Sequence, residues 1–345
     1  MRPALGLLAI SLLALSAHAD PKVPAPPPPT PKPDPAAISA RAAMLAPIQI
    51  DSLTLTPIVA IAAPAGKPAE MLVLDEAMAS KQVKISEGEQ ESVNDLTLIN
   101  SSDRPVFVLA GEVIIGGKQD RIIGANTVIP PKTTLSVPVY CVEHGRWDNS
   151  SRVFTTANAL AHGRLRGKAS FEEQGEVWKE VAATNAKRNT ANATDTYRTV
   201  AKQQSDGTLK AWQKKVDEAL ARVPAADRAR MIGYAIALNG QVATVDMFQS
   251  PALFKKLEGK LLRSYVTEAV SIKAGKDVKA PTTDAVKSFM ADADKAAEKN
   301  SYETKAAKTK VRKGSKSAKS AVDFSADAVQ GAMPAPSVYE SYQVR

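Results

Sequence analysis

An α+β fold is what this sequence predicts, from a first half of short strands, a middle stretch at helical spacing, and one sharply marked β-hairpin running into a capped helix. The strands come first. Ile48 and Ile50, then Leu53 and Leu55, alternate with polar residues, and β-branched residues recur through Ile61. Further strands are expected at 71–74, 93–99, 106–109, 113–115, 121–123 and 134–142, separated by turn chemistry at Asn100-Ser101-Ser102-Asp103, Gly116-Gly117 and Pro130-Pro131. Many short strands joined by short turns imply an antiparallel sandwich or barrel-like unit.

After Trp147 the period changes. Phe171, Trp178, Val181 and Ala182 fall at helical spacing, and Leu209, Trp212, Val216 and Leu220 repeat it, so two helices are expected there. Residues 231–238 and 241–248 flank Asn239-Gly240, a pair suited to the positive φ angles of a tight hairpin turn. Ser250 then caps a helix with Pro251 in its first turn and Leu253, Phe254, Leu257, Leu261 and Tyr265 on its inner face.

Both ends differ from this middle. Arg2, the apolar run 5–15 and Ala17-His18-Ala19 before Asp20 read as a secretory leader over 1–19, the run being too short to span a bilayer. Residues 20–47, with Pro26-Pro27-Pro28-Pro29, read as an extended Pro-rich linker. One globular domain is expected over 48–274. The remainder, 275–345, reads as a basic low-complexity tail, mostly disordered, with one short helix near 286–298. Lys305, Lys308, Lys310, Arg312, Lys313, Lys316 and Lys319 concentrate there much of the net charge of +9, which suggests contact with an anionic envelope surface. The expected location is periplasmic or secreted.

Composition and motifs exclude more than they assign. Cys141 is the single cysteine, so no intramolecular disulfide forms. The glycines of 111–119 fail as a nucleotide phosphate loop, because five residues separate Gly111 from Gly117 and Gln119 stands where a hydroxyl is required. With two histidines beyond the leader, His144 and His162, and no HExxH or paired-cysteine spacing, no metal or cofactor is implied. Nor is there a specific nucleic-acid motif. Cys141 and His144 fall on opposite faces if their strand continues, which makes Cys141 an inert core residue rather than a nucleophile.

The blocks Gly111-Glu112, Gly116-Gly117-Lys118-Gln119-Asp120-Arg121 and Cys141-Val142-Glu143-His144-Gly145-Arg146-Trp147 carry a family likeness. So do Gln174-Gly175-Glu176-Val177-Trp178 and the run from Met247 to Phe254 into Leu261-Leu262-Arg263-Ser264-Tyr265. The chain resembles the ARG and Rhodanese-Phosphatase-superfamily-associated protein domain, a family without established activity. Asn is usual in that family where Asp120 stands, and Ala where Gly117 stands. The family's name records gene neighbourhoods with ADP-ribosylglycohydrolases, so the resemblance makes an ADP-ribose-like, nucleotide-derived molecule the first ligand to consider.

The expected site is a polar cleft formed where the two central blocks meet. Lys118, Arg121 and Arg146 would hold phosphate oxygens, Glu112, Gln119 and Glu143 polar groups, and Trp147 a base. Three functions fit these residues: a ligand-binding or accessory domain, a hydrolase or transferase with Glu112 or Glu143 as acid or base, and an envelope interaction protein tethered by linker and tail.

Overall fold

The computed structural model describes residues 37–64, 68–88, 93–148, 151–325 and 337–345, all within one compact unit. The expected leader and most of the expected Pro-rich linker lie outside the described residues. Where the linker was expected to continue, a short 3-10 turn at Ser39–Arg41 leads instead into strand β1 (Ala42–Met44).

Next come β2 (Ile48–Ile50), β3 (Leu53–Ala60), β4 (Leu72–Val73), helix α1 (Leu74–Ala79) and β5 (Val83–Ser86). The strand series continues with β6 (Asp95–Asn100), β7 (Val106–Val108), β8 (Glu112–Gly116), β9 (Arg121–Ile123), β10 (Thr127–Ile129), β11 (Thr133–Cys141) and β12 (Phe154–Leu160). Helices α2 (Gly163–Phe171), α3 (Gln174–Arg188), α4 (Arg198–Gln203), α5 (Lys210–Leu220) and α6 (Ala225–Arg228) follow. The chain closes with β13 (Met231–Leu238), β14 (Gln241–Phe248), α7 (Pro251–Ala269), α8 (Thr283–Asp294), β15 (Glu298–Glu303), β16 (Ala307–Lys313), β17 (Ser317–Phe324) and β18 (Ser337–Val344). The fold class is α+β.

Local chemistry accounts for the clearest of these elements. Asn239 and Gly240 take φ of 48° and 79°, the left-handed pair that the hairpin turn between β13 and β14 requires. The Ser250 hydroxyl accepts the Leu253 N–H at 3.3 Å and Pro251 occupies the first turn of α7, which satisfies one helix-end donor and needs none from proline.

A six-stranded sheet runs β12-β8-β9-β11-β6-β5, and it curls until its edges meet, through a bridge between Ser86 and Val153 and a bond from Glu87 N–H to the Arg152 carbonyl. Ile85, Leu98, Ile114, Ile123, Val137 and Phe154 fill the interior of the curl, so side chains rather than a ligand occupy it. A nine-stranded sheet runs β1-β3-β13-β14-β18-β17-β16-β15, with β2 also on β3. Phe107, Tyr234, Phe248 and Tyr339 cluster with the inner face of α7, while Ile232, Val245, Met247 and Tyr342 cluster with Val286 and Met290 of α8. Alternation along β13 and β14 thus feeds two cores.

The expected barrel-like antiparallel unit is the curled six-stranded sheet, while β3 pairs with β13 in the large sheet. One expectation is corrected here: 275–345 is not a disordered tail, since α8 forms, β15–β17 extend the large sheet, and β18 lies between β14 and β17. Its lysines misled because they occupy alternate positions. Along β17, Ala318, Ser320, Val322 and Phe324 are buried, whereas Lys319 reaches Asp294 at 3.1 Å. Lys310 likewise pairs with Asp323 at 2.8 Å, and Arg312 with Glu298 at 2.9 Å. Acids outside the block neutralise its charges, and small inward residues, Ala318 and Ser320, complete with Val322 and Phe324 a period-two buried face.

Candidate functional site

The site begins at the turn between β8 and β9. Gly116 and Gly117 have φ of 131° and 51°, and a Cβ on Gly116 would lie 2.5 Å from the Val153 carbonyl oxygen, so Gly116 is required both by backbone angle and by close approach, while at Gly117 the Phe154 ring packs into the space a Cβ would take. The turn delivers Asp120 into a fully buried position. There its carboxylate accepts Arg198 Nε at 2.8 Å and Nη2 at 2.6 Å, the Thr196 hydroxyl at 3.0 Å, the Gly116 N–H at 3.2 Å and Arg146 Nη2 at 3.4 Å.

The second block arrives from the end of β11. Glu143 accepts Arg146 Nε at 2.8 Å, the Asp120 N–H at 3.0 Å and the Thr194 hydroxyl at 3.0 Å, while Gln119 Nε2 donates to the Glu143 carbonyl at 2.8 Å. Arg146 Nη1 also donates to the Gly117 carbonyl at 3.0 Å. Burial works to raise the Glu143 pKa, but these donors outweigh it and hold the carboxyl below its ordinary value. The hydrogen bonds from Arg198 to Asp120 raise the Arg198 pKa in turn.

Lys118, Gln119, Glu143, Arg146 and Trp147 therefore come together. Lys118 sets its ammonium 5.1 Å from the centre of the Trp147 ring, and Trp147 is 55% exposed. Arg121 lies beneath them, 2% exposed, with Nη1 donating to Gln119 Oε1 at 3.3 Å; burial lowers its pKa, and it is no surface phosphate ligand. Glu112 is elsewhere. Buried at the start of β8, it accepts Lys260 Nζ at 2.6 Å and the Leu109 N–H at 2.9 Å. Desolvation raises the Glu112 pKa; Lys260, though burial opposes its charge, is raised by the carboxylates of Glu112 and Asp75.

Sequence reasoning missed Thr194, Thr196 and Arg198. Thr194 and Thr196 sit on a polar connection before α4 and Arg198 is the first residue of that helix; their only distinguishing signal, an arginine able to pair with Asp120, needs the fold to be read. Cys141 is buried, its backbone N–H and carbonyl both bonded to the Gln174 amide, and burial pushes the thiol up. The His144 ring packs edge-on against Trp178. Among the described residues no group of three or more His, Cys, Asp or Glu is arranged to hold a metal ion.

A second ion network explains other family blocks. Arg166 of α2 donates to Asp246 of β14 through Nη1 at 3.0 Å and Nη2 at 2.9 Å, and Nη2 also reaches the Tyr339 hydroxyl at 2.7 Å. Tyr265 donates to Asp246 at 2.5 Å, and Tyr339 donates to it as well. A Cβ on Gly111 would lie 2.4 Å from Arg166 Cγ, so the Gly111-Glu112 block begins with the residue that lets this arginine pass.

No curated protein and no solved structure matches the chain. A family model does match, over residues 41–333, a span that takes in the Asp120 network, Arg166, Asp246 and Tyr265 of the second network and the strands β15–β17, and by that match the chain belongs to the ARG and Rhodanese-Phosphatase-superfamily-associated Protein domain family.

Proposed function

We propose that this is an exported binding domain for a small polar ligand, taken up where Trp147, Lys118, Arg146 and Arg198 lie together. The convergence of the two central blocks on Asp120 and Glu143 is the observation that carries the reading. Inner nitrogens of Arg146 and Arg198 are spent on these carboxylates, while the Arg198 side chain keeps 46% of its surface in solvent and Trp147 exposes its indole. A nucleotide-derived ligand offers this surface phosphate oxygens for the remaining Arg198 nitrogen, Nη1, and a flat base for the indole. ADP-ribose is the first to test.

Binding fits better than hydrolysis. Glu143, ionised and held by its donors, is a weak base, and Glu112 is sealed under Lys260. The leader-like run at 1–19 and the Pro-rich stretch that follows it support export, and no described helix is long and apolar enough to cross a membrane. Calorimetry with ADP-ribose should show heat with the full chain and about tenfold weaker binding for Trp147→Ala, whose exposed ring contributes little to the core. Absence of heat with the unaltered protein would remove this ligand; unchanged affinity in Trp147→Ala would remove the site.

A further inference from the structure

A cleft of about 350 Å³ opens between α5, α7 and the irregular end of β12, away from the residues of the proposed ligand surface. That volume is in the range of small-molecule sites, roughly 300–1,000 Å³. Val216 and Val266 line it with apolar surface, and Asn158, Ser205, Gln213 and Arg263 with polar groups. A few polar groups over an apolar base is the composition that orients a small polar molecule.

Arg263 is the centre of the argument. Its Nη2 donates to the carbonyl and side-chain oxygens of Asn158 at 3.2 and 3.4 Å. Nη1 lies beside Gly259, another residue of the cleft lining, and has no acceptor among the described residues. A half-buried guanidinium with one nitrogen left over at a cleft is the feature that a ligand oxygen would satisfy.

The arginine is held in place from below. Asn158 has φ of 48° at a register shift in β12, a conformation asparagine tolerates. Its N–H donates to the Thr156 hydroxyl at 2.9 Å, Thr156 donates to Asp75, and Asp75 pairs with Lys260, which also holds Glu112. On the opposite wall Gln204 exchanges two hydrogen bonds with the Leu160 backbone, at 2.7 and 3.3 Å, and its own carbonyl accepts Gln213 Nε2 at 3.3 Å. Both walls are thus fixed before any ligand arrives, which lowers the entropic cost of binding.

We infer that this cleft is a second binding site, taking a small hydroxylated organic anion whose carboxylate or phosphate oxygen accepts from Arg263 and whose hydroxyls bond Asn158, Ser205 and Gln213. Asp217 at the edge opposes additional negative charge, so a carboxylate fits better than a phosphate dianion.

Calorimetry on the full chain with glucuronate, glucose 6-phosphate and uncharged glucose tests this. At least one charged sugar should bind, glucuronate more tightly, and glucose should not. Arg263→Gln should weaken the charged sugar by about tenfold or more, the scale of one hydrogen bond to a charged group. Gln213→Ala, on the other wall, should weaken it several-fold and decides the matter if Arg263→Gln fails to fold. Trp147→Ala should leave it unchanged, which separates this site from the first. No binding of either charged sugar, equal binding of glucose, or full affinity in Gln213→Ala would overturn the inference.

Discussion

The two arginine–carboxylate networks use the same chemistry at different depths. Around Asp246, the guanidinium of Arg166 and the hydroxyls of Tyr265 and Tyr339 are all fully buried, and they tie α2, β14, α7 and β18 together. Around Asp120, the carboxylate is equally buried, yet Arg198 and Arg146 keep 46% and 22% of their side-chain surface exposed. Charges with no route to water serve only to join elements. Charges with one face in water can join elements and still meet a ligand.

The sharpest way to break this comparison is to end the chain after Ala274. That removes Tyr339 together with β18, the partner of both β14 and β17. Cooperative unfolding in denaturant should be lost; a truncated chain with the full-length midpoint would show that the Asp246 network does not hold the domain. Arg166→Met comes next, with an expected cost of about 3–5 kcal/mol because Asp246 is left buried without its counter-charge. Arg166→Met with Asp246→Leu should recover much of that loss, as apolar replacement of a buried pair removes the uncompensated charge.

Asp120→Asn, the residue usual in the family, should cost less, about 1–2 kcal/mol, since Arg198 can turn to solvent. If it equalled Arg166→Met in chemical denaturation, depth would not be what separates the two networks. Smaller still is Asp292, which accepts Ser315 Oγ at 2.6 Å and the N–H groups of Lys316 and Ser317 at 2.8 and 2.9 Å. Asp292→Ala should cost about 1 kcal/mol by thermal unfolding. Hydrogen bonding to these groups, foremost the Ser315 hydroxyl, depresses the Asp292 pKa. With folded pKa values below the unfolded ones, Asp292 and Glu143 contribute stability that is present above the ordinary carboxyl range of about 4. That stability should fade as pH falls through the folded values, and less so in Asp292→Ala.

Elements set by neighbouring residues were legible. Asn239-Gly240 dictates its turn and Ser250-Pro251 its helix start because the interactions responsible span four residues or fewer. The meeting of the blocks around Lys118 and Arg146 was expected from their places at strand ends. Glu112 was misplaced with them because closeness in sequence along β8 is not closeness in space: the strand carries Glu112 and Gly116 to opposite ends.

By itself, then, the sequence determined the α+β class, the hairpin, the capped helix and the core position of Cys141, all of which follow from periodicity and local backbone preference. Tertiary structure alone decided that the last strand enters the middle of the large sheet, that Arg198 completes the Asp120 network, and that Arg263 faces a cleft. Each depends on partners from 80 to 300 positions apart in order of magnitude, as with Ile38 N–H on Glu340, Arg198 on Asp120 and Lys260 on Glu112. A lysine-rich segment looks unfoldable until the acids that neutralise it are folded beside it, and that pairing is a property of three dimensions.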